Sequence, residues 1–208
     1  MEAYITVAIV AYVIGSINFA VLFSKKFAGF DVREKGSKNA GTTNVLRTVG
    51  VKAALLTLVC DILKGVAAVL SAILAKSMWT GFDVQTLKYI AGLMVIIGHT
   101  YPIFYEFKGG KGVATAIGVL LMLNWKIGLI YLAFGLIIIA LSKMVSLGSM
   151  CAAVLFPILT IFMQKDITWL QIILCFAIGI FVVFNHRTNI KRIKQGKENK
   201  LSFKKKEK

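Results

Sequence analysis

Three polar stretches of this chain carry residue types suited to holding phosphate. GSKNAGTTNVLRTVG (36–50) sets glycines beside hydroxyls and an arginine. Glycine lets backbone N–H groups converge on an anion, Ser37 and Thr43 add hydroxyl donors, and Arg47 offers a planar fork matched to phosphate. Asn39, Gly41 and Asn44 complete this candidate binding loop. FYEFKGGKGVATAIG (104–118) places Gly109, Gly110 and Gly112 where backbone can approach a phosphate, with Lys108 and Lys111 as point charges. A helix beginning just after them would aim its N-terminus at the same anion. In FNHRTNIKRIKQGKEN (184–199), His186 and Asn189 are spaced i, i+3 and share a face if the helix continues. Taken alone, the first stretch also reads as a flexible basic connector, and Arg187, Lys191 and Arg192 of the third as lipid-headgroup anchors.

The same residues exclude other chemistries. No Ser or Thr follows Lys111, and the glycine spacing is wrong for a nucleotide-hydrolysing P-loop. An H-x-x-x-x-D arrangement, in which an acid orients a histidine base, is also missing: the fifth residue after His99 is Phe104, and after His186 it is Lys191. His99, close to Pro102, reads as a packing or gating hydrogen-bonder. Asp61 and Lys64, at i and i+3 in an apolar run, read as a mutually neutralised strut or a functional intramembrane pair. Cys60, Cys151 and Cys175 lie in apolar runs without C-x-x-C spacing, which points to small buried hydrophobes and no metal.

The elements that must position these loops are membrane helices. Of 208 residues 58% are hydrophobic, with mean hydropathy +0.78, more than a soluble interior of this size accommodates. Seven apolar runs are candidates to cross a bilayer core of ~30 Å. They cover 3–23, 53–75, 87–107, 113–123, 127–141, 147–163 and 169–184. The fourth would rise only about 17 Å as a helix, so its glycine-rich start is expected below the membrane surface, shielded by protein or lining a wet cavity. Glu2 before the first run and Lys25 and Lys26 after it argue for an uncleaved span with the N-terminus outside. The expected fold is all-α: one polytopic membrane domain over 1–208, with seven transmembrane helices, a cytoplasmic C-terminus and a basic cytoplasmic tail over 193–208. In that orientation only Lys76, Lys88, Lys126 and Lys165 of the 25 lysines and arginines fall in outer connections. The net charge of +16 is then a topology signal, and no nucleic-acid partner is expected. Even numbers of spans separate the three polar stretches, which puts all of them on one face.

At these stretches the chain resembles the bacterial acyl-phosphate:glycerol-3-phosphate acyltransferase family, PlsY, over nearly its whole length. GSKNAGTTNVLRTVG looks like the family's first cytoplasmic motif, FKGGKGVAT its glycine-rich second and HRTNIKRIKQGKEN its third. Lys38 stands where a small residue such as glycine is expected. The resemblance implies a multi-pass enzyme of the bacterial cytoplasmic membrane, active on its cytoplasmic face. It would transfer a fatty acyl group from acyl phosphate to the 1-hydroxyl of glycerol 3-phosphate, giving lysophosphatidic acid and phosphate, the first step of phospholipid synthesis. No cofactor is implied, membrane lipid is the only further partner, and the oligomeric state is left open, a monomer included. Ser37, Arg47, His186 and Asn189 would belong to the active site, the second motif would bind glycerol 3-phosphate, and Glu198 would support local structure. Arg47, Lys108 and Lys111 would neutralise two approaching phosphates. The hydroxyl proton would pass to His186 or, as favoured here, to a substrate phosphate oxygen, with His186 and Asn189 as positioning donors. A phosphate-ester transporter fits less well, because transporters bind near the midplane on broken helices and often show repeats. A non-catalytic scaffold leaves the glycine-lysine loop without a purpose.

Overall fold

The structure, a computed structural model, describes residues 1–201, so the KKKEK end of the expected tail lies outside it. Every regular element among the described residues is helical. Large apolar side chains such as Leu74, Phe162 and Trp169 point outward, whereas Ala3, Ala11, Ala68 and Ala91 are fully buried. Small residues inside and large ones outside suit helices that pack in lipid, where close backbone approach replaces the hydrophobic drive.

The first apolar run breaks into α1 (Glu2–Gly15) and α2 (Phe19–Ala28). The run expected over 3–23 is one span with a break in it, and the cause of the break is Asn18, whose side chain accepts from Val21 N at 3.2 Å and starts a new helix. The carbonyls freed at the end of α1 are met by the buried Lys64, whose Nζ donates to Gly15 O at 3.0 Å and Ile17 O at 2.7 Å. Lys64 also pairs with Asp61 at 2.9 Å, so the strut doubles as a helix cap.

The loop after α2 leads to the short α3 (Thr42–Thr48) and is braced by buried Asn44. Asn44 Oδ1 accepts from Ser37 N at 2.9 Å, and its Nδ2 donates to Val32 O at 2.9 Å and Lys35 O at 3.0 Å. Lys38 sits at φ 58, a left-handed conformation that explains why glycine suits this position.

Two long helices follow, α4 (Val51–Met78) and α5 (Val84–Thr100). The run expected over 87–107 ends as a helix at Thr100, and the chain then turns through Pro102 and a 3-10 turn, Ile103–Tyr105. Next come α6 (Val113–Leu123), α7 (Trp125–Ser142), α8 (Val145–Met163), α9 (Trp169–Phe184) and α10 (Arg187–Lys194). Asn124 separates α6 from α7 by capping the latter, accepting from Lys126 N at 3.1 Å. Among the described residues five stretches are long and apolar enough to cross a membrane: Glu2–Ala28 taken across its break, Val51–Met78, Val84–Tyr105, Trp125–Ser142 and Val145–Met163. α9 and α10 make a sixth if counted together across their 53° bend. α6, with 11 residues, rises about 17 Å and is too short by itself. The chain is therefore an all-α, multi-pass membrane protein. α1 packs on α5, α4 on α5 and α6, α7 on α8, and α8 on α9. The three cysteines are free, with Cys175 buried and the other two partly so.

Candidate active site

The three polar stretches, far apart in sequence, meet around one cavity of about 490 Å³. Ser37, Asn39, Gly41, Thr43, Asn44 and Arg47 reach it from the first stretch. Lys111 and Gly112 reach it from the second, and His186, Asn189 and Glu198 from the third. Away from this polar end the cavity continues as an apolar slot. Leu58 and Ile62 of α4, Ile117 of α6, Leu132 and Leu136 of α7 and Ala152 of α8 form its walls. A polar, cationic head joined to an apolar slot matches a ligand with an anionic head and a hydrocarbon tail.

Lys111 and Asn189 anchor the polar end. Lys111 Nζ donates to Asn189 Oδ1, and Asn189 Nδ2 donates to Glu198 Oε1 at 2.8 Å. Glu198 also accepts from Ser146 Oγ of α8 at 3.0 Å and from Arg192 Nε at 3.0 Å. Burial disfavours the charged Glu198, but these hydrogen bonds outweigh it and hold the carboxyl below its ordinary value. Asn189 thus has both ends of its amide engaged by protein and serves as the holder of Lys111. Burial, reinforced by the charges of Arg192 and Arg47, pulls the Lys111 ammonium down to about 8.

His186 stands at the junction of α9 and α10, where the chain bends instead of continuing straight. Its Nδ1 lies 2.7 Å from Val182 O, so that nitrogen carries the proton and donates. Burial, opposed by that carbonyl and assisted by Lys111, pushes the imidazole down to about 4. Neutral His186 therefore offers Nε2 as an acceptor. Its expected part as a positioning donor is corrected accordingly: a neutral ring has one N–H, and Val182 takes it.

Two further expectations change. Lys108, Gly109 and Gly110 do not line the cavity. Lys108 is exposed and pairs with Glu106 at 3.0 Å on the surface. Gly109 N donates to Thr100 O at 3.0 Å and Gly110 N to His99 O at 3.1 Å, so these two amides are taken up by the end of α5 and unavailable to an anion. Among the described residues the N–H groups of Lys111 and Gly112 have no protein acceptor, and both residues line the cavity together with Val113 and Ala114 of the first turn of α6. Asn44, whose side chain is fully used in bracing its own loop, shapes the site instead of offering donors to it.

Sequence reasoning missed Ser146 and Arg192. Arg192, read as a lipid-headgroup anchor, lines the cavity and supplies the cation that Lys108 does not. Ser146 joins from a different helix, with no local pattern to mark it. Thr42, another lining residue, buries a hydroxyl that has no partner among the described residues. Arg47 has no hydrogen bond or ion pair among the described residues, so its guanidinium is free to meet a ligand. Burial lowers it from its ordinary value without taking away its charge at neutral pH. No cluster of metal-ligating side chains occurs among the described residues.

The family model for glycerol-3-phosphate acyltransferase matches residues 5–196. The glycerol-3-phosphate acyltransferase of Clostridioides difficile (strain 630) is 41% identical over 203 residues, 98% of each chain. That of Thermoanaerobacter sp. (strain X514) is 43% identical over 205 residues, again 98% of each. A crystal structure of PlsY, an integral membrane glycerol 3-phosphate acyltransferase in its glycerol 3-phosphate form, superposes with a TM-score of 0.84 at 34% identity, covering 96% of each chain. Its lysophosphatidic acid form gives 0.82 at 32% identity, over 96% of this chain and 95% of that one. The chain in which Lys111 and Asn189 meet therefore belongs to the glycerol-3-phosphate acyltransferase family, PlsY.

Proposed function

We propose that this acyltransferase moves a fatty acyl group from acyl phosphate to the 1-hydroxyl of glycerol 3-phosphate, releasing lysophosphatidic acid and inorganic phosphate. The observation that carries the reading is the single cavity in which Arg47, Lys111 and Arg192 stand at the head of an apolar slot. An acyl phosphate supplies both the anion and the tail. The relatives' names contain glycerol 3-phosphate as the molecule acted on, and the neighbouring crystal structures are of glycerol 3-phosphate and lysophosphatidic acid forms.

In this reading the acyl phosphate head lies against Ser37 and Arg47, with its chain among α4, α6, α7 and α8. The phosphate of glycerol 3-phosphate lies on Lys111 and the first turn of α6, whose dipole favours an anion. Arg192 adds positive charge between them, so that two phosphates approach in a poorly hydrated site without prohibitive repulsion. His186 Nε2 accepts a hydrogen bond from a glycerol hydroxyl and orients it. The 1-hydroxyl oxygen then attacks the acyl carbon, the bond from that carbon to the phosphate oxygen breaks, and the hydroxyl proton ends on the departing phosphate. Holding both substrates in one geometry supplies much of the rate. Neither a metal nor an organic cofactor enters any step. The site faces the cytoplasm in a bacterial cytoplasmic membrane, with seven crossings, α6 being the short one, and the N-terminus outside.

Detergent-purified protein given palmitoyl phosphate and labelled glycerol 3-phosphate is expected to form labelled lysophosphatidic acid. Counterflow of labelled glycerol 3-phosphate in sealed vesicles, without product, would make the chain a transporter instead.

A further inference from the structure

His99 and Asp61 are buried ionisable side chains at the cavity that the proposed reaction does not use. Asp61 sits on α4 and His99 on the last turn of α5, with Nδ1 of the ring 3.5 Å from Asp61 Oδ1. The same carboxylate oxygen is 2.9 Å from Lys64 Nζ, which in turn holds the end of α1. An acid thus faces His99 from another helix, although among the described residues neither His99 Nδ1 nor Asp61 Oδ1 makes a hydrogen bond.

The opposite edge of the ring lies under the glycine loop. A methyl group built on Gly110 would fall 2.1 Å from His99 Nε2 and 2.9 Å from Cε1, closer than carbon ever approaches. Its other near neighbour is Ala40 O of the first loop, at 2.6 Å. Gly110 is therefore held between the His99 ring and the first loop, and its N–H is bonded to the His99 carbonyl at 3.1 Å. Lys111, the next residue, carries the ammonium that donates to Asn189.

We infer that His99, buried between Asp61 and the glycine loop, is a positioning residue that sets where the Gly110–Lys111 segment stands relative to the first loop. It acts through Lys111 and touches no reacting atom. Gly110 is glycine because an imidazole fills the space a side chain would need. The inference rests on the proposed acyl transfer, which assigns glycerol 3-phosphate to Lys111.

The test is a double-mutant cycle read in steady-state constants on purified protein, with each substrate varied in turn. His99→Ala and Gly110→Ala are each expected to raise KM for glycerol 3-phosphate about tenfold or more while KM for acyl phosphate moves less than about threefold. Lost folded protein would lower the apparent kcat and leave that contrast absent. In the double variant the loop can shift toward the space the ring has left, which moves the added methyl away from Ala40 O as well, so KM for glycerol 3-phosphate should be at least about fivefold lower than the two single effects multiplied together. His99→Asn carries the same cycle if His99→Ala fails to fold, because its amide nitrogen keeps a contact toward Asp61 while the far edge of the ring is gone. Multiplicative effects, or an unchanged KM for glycerol 3-phosphate in both His99 variants, would overturn the inference while active wild-type protein left the functional reading intact. Wild-type protein unable to make lysophosphatidic acid would sink that reading and this inference with it.

Discussion

Lys111 and Asn189, 78 residues apart, are joined by a hydrogen bond from the ammonium to the amide oxygen. That bond turns a flexible lysine into a fixed charge at the head of the cavity, and Glu198 fixes the amide in turn. Asn189→Ala is expected to lower kcat/KM for glycerol 3-phosphate by about 10- to 100-fold, the scale on which a misplacement of 1 Å acts. Steady-state kinetics on the purified variant checks this, and activity within about twofold of wild type would leave the bond without consequence.

The lowered Lys111 value gives a pH dependence with a definite sign. Its positive charge is lost as pH rises through about 8, so phosphate binding weakens on the alkaline side. The profile of kcat/KM for glycerol 3-phosphate should therefore fall above about 8, since that ratio reports the free enzyme. In Lys111→Arg the charge persists, and the alkaline limb should shift to higher pH even if the maximum is lower. An unshifted limb would assign it to another group.

Arg47 is expected to act by its shape as well as its charge. A guanidinium donates two parallel hydrogen bonds that an ammonium cannot reproduce. Arg47→Lys should lose about 100-fold in kcat with the protein still folded and membrane-inserted, as removal of a transition-state donor does. Turnover near the wild-type level in the lysine variant would reduce Arg47 to a topological marker.

How far the sequence showed all this depends on the range of each interaction. The bounds of α6 and α9 coincide with their apolar runs, because polar residues flank both. The break between α1 and α2 was hidden, since apolar residues continue past Asn18 and the Lys64 that caps α1 comes from another helix. In the site, Ser37, Arg47, Lys111, His186 and Asn189 stood out by residue type within unusual loops. Lys108 and Lys111 looked alike because a loop has no period to tell inward from outward. A glycine declares that space is short without naming the neighbour, so Gly110 was read against a phosphate when His99 lies there. Ser146 and Arg192 become visible only once Glu198 gathers them.

The proposed cytoplasmic face of the three loops is open to cysteine labelling. Lys38, Lys108 and Lys197 are exposed, one in each stretch, whereas Lys111 is too covered to report. Single cysteines at those three positions in a cysteine-free background should all be protected from an impermeant reagent in intact cells and labelled after the cells are opened. Labelling of any one of them from outside would overturn the topology.

The donor is the central claim, and one measurement addresses it most directly. Purified protein is given glycerol 3-phosphate with palmitoyl phosphate in one reaction and with palmitoyl-CoA in a parallel one, while lysophosphatidic acid and inorganic phosphate are followed together. The account predicts equal amounts of lysophosphatidic acid and phosphate from palmitoyl phosphate, and no acyl transfer from palmitoyl-CoA. Lysophosphatidic acid formed from palmitoyl-CoA, with palmitoyl phosphate inert, would contradict it.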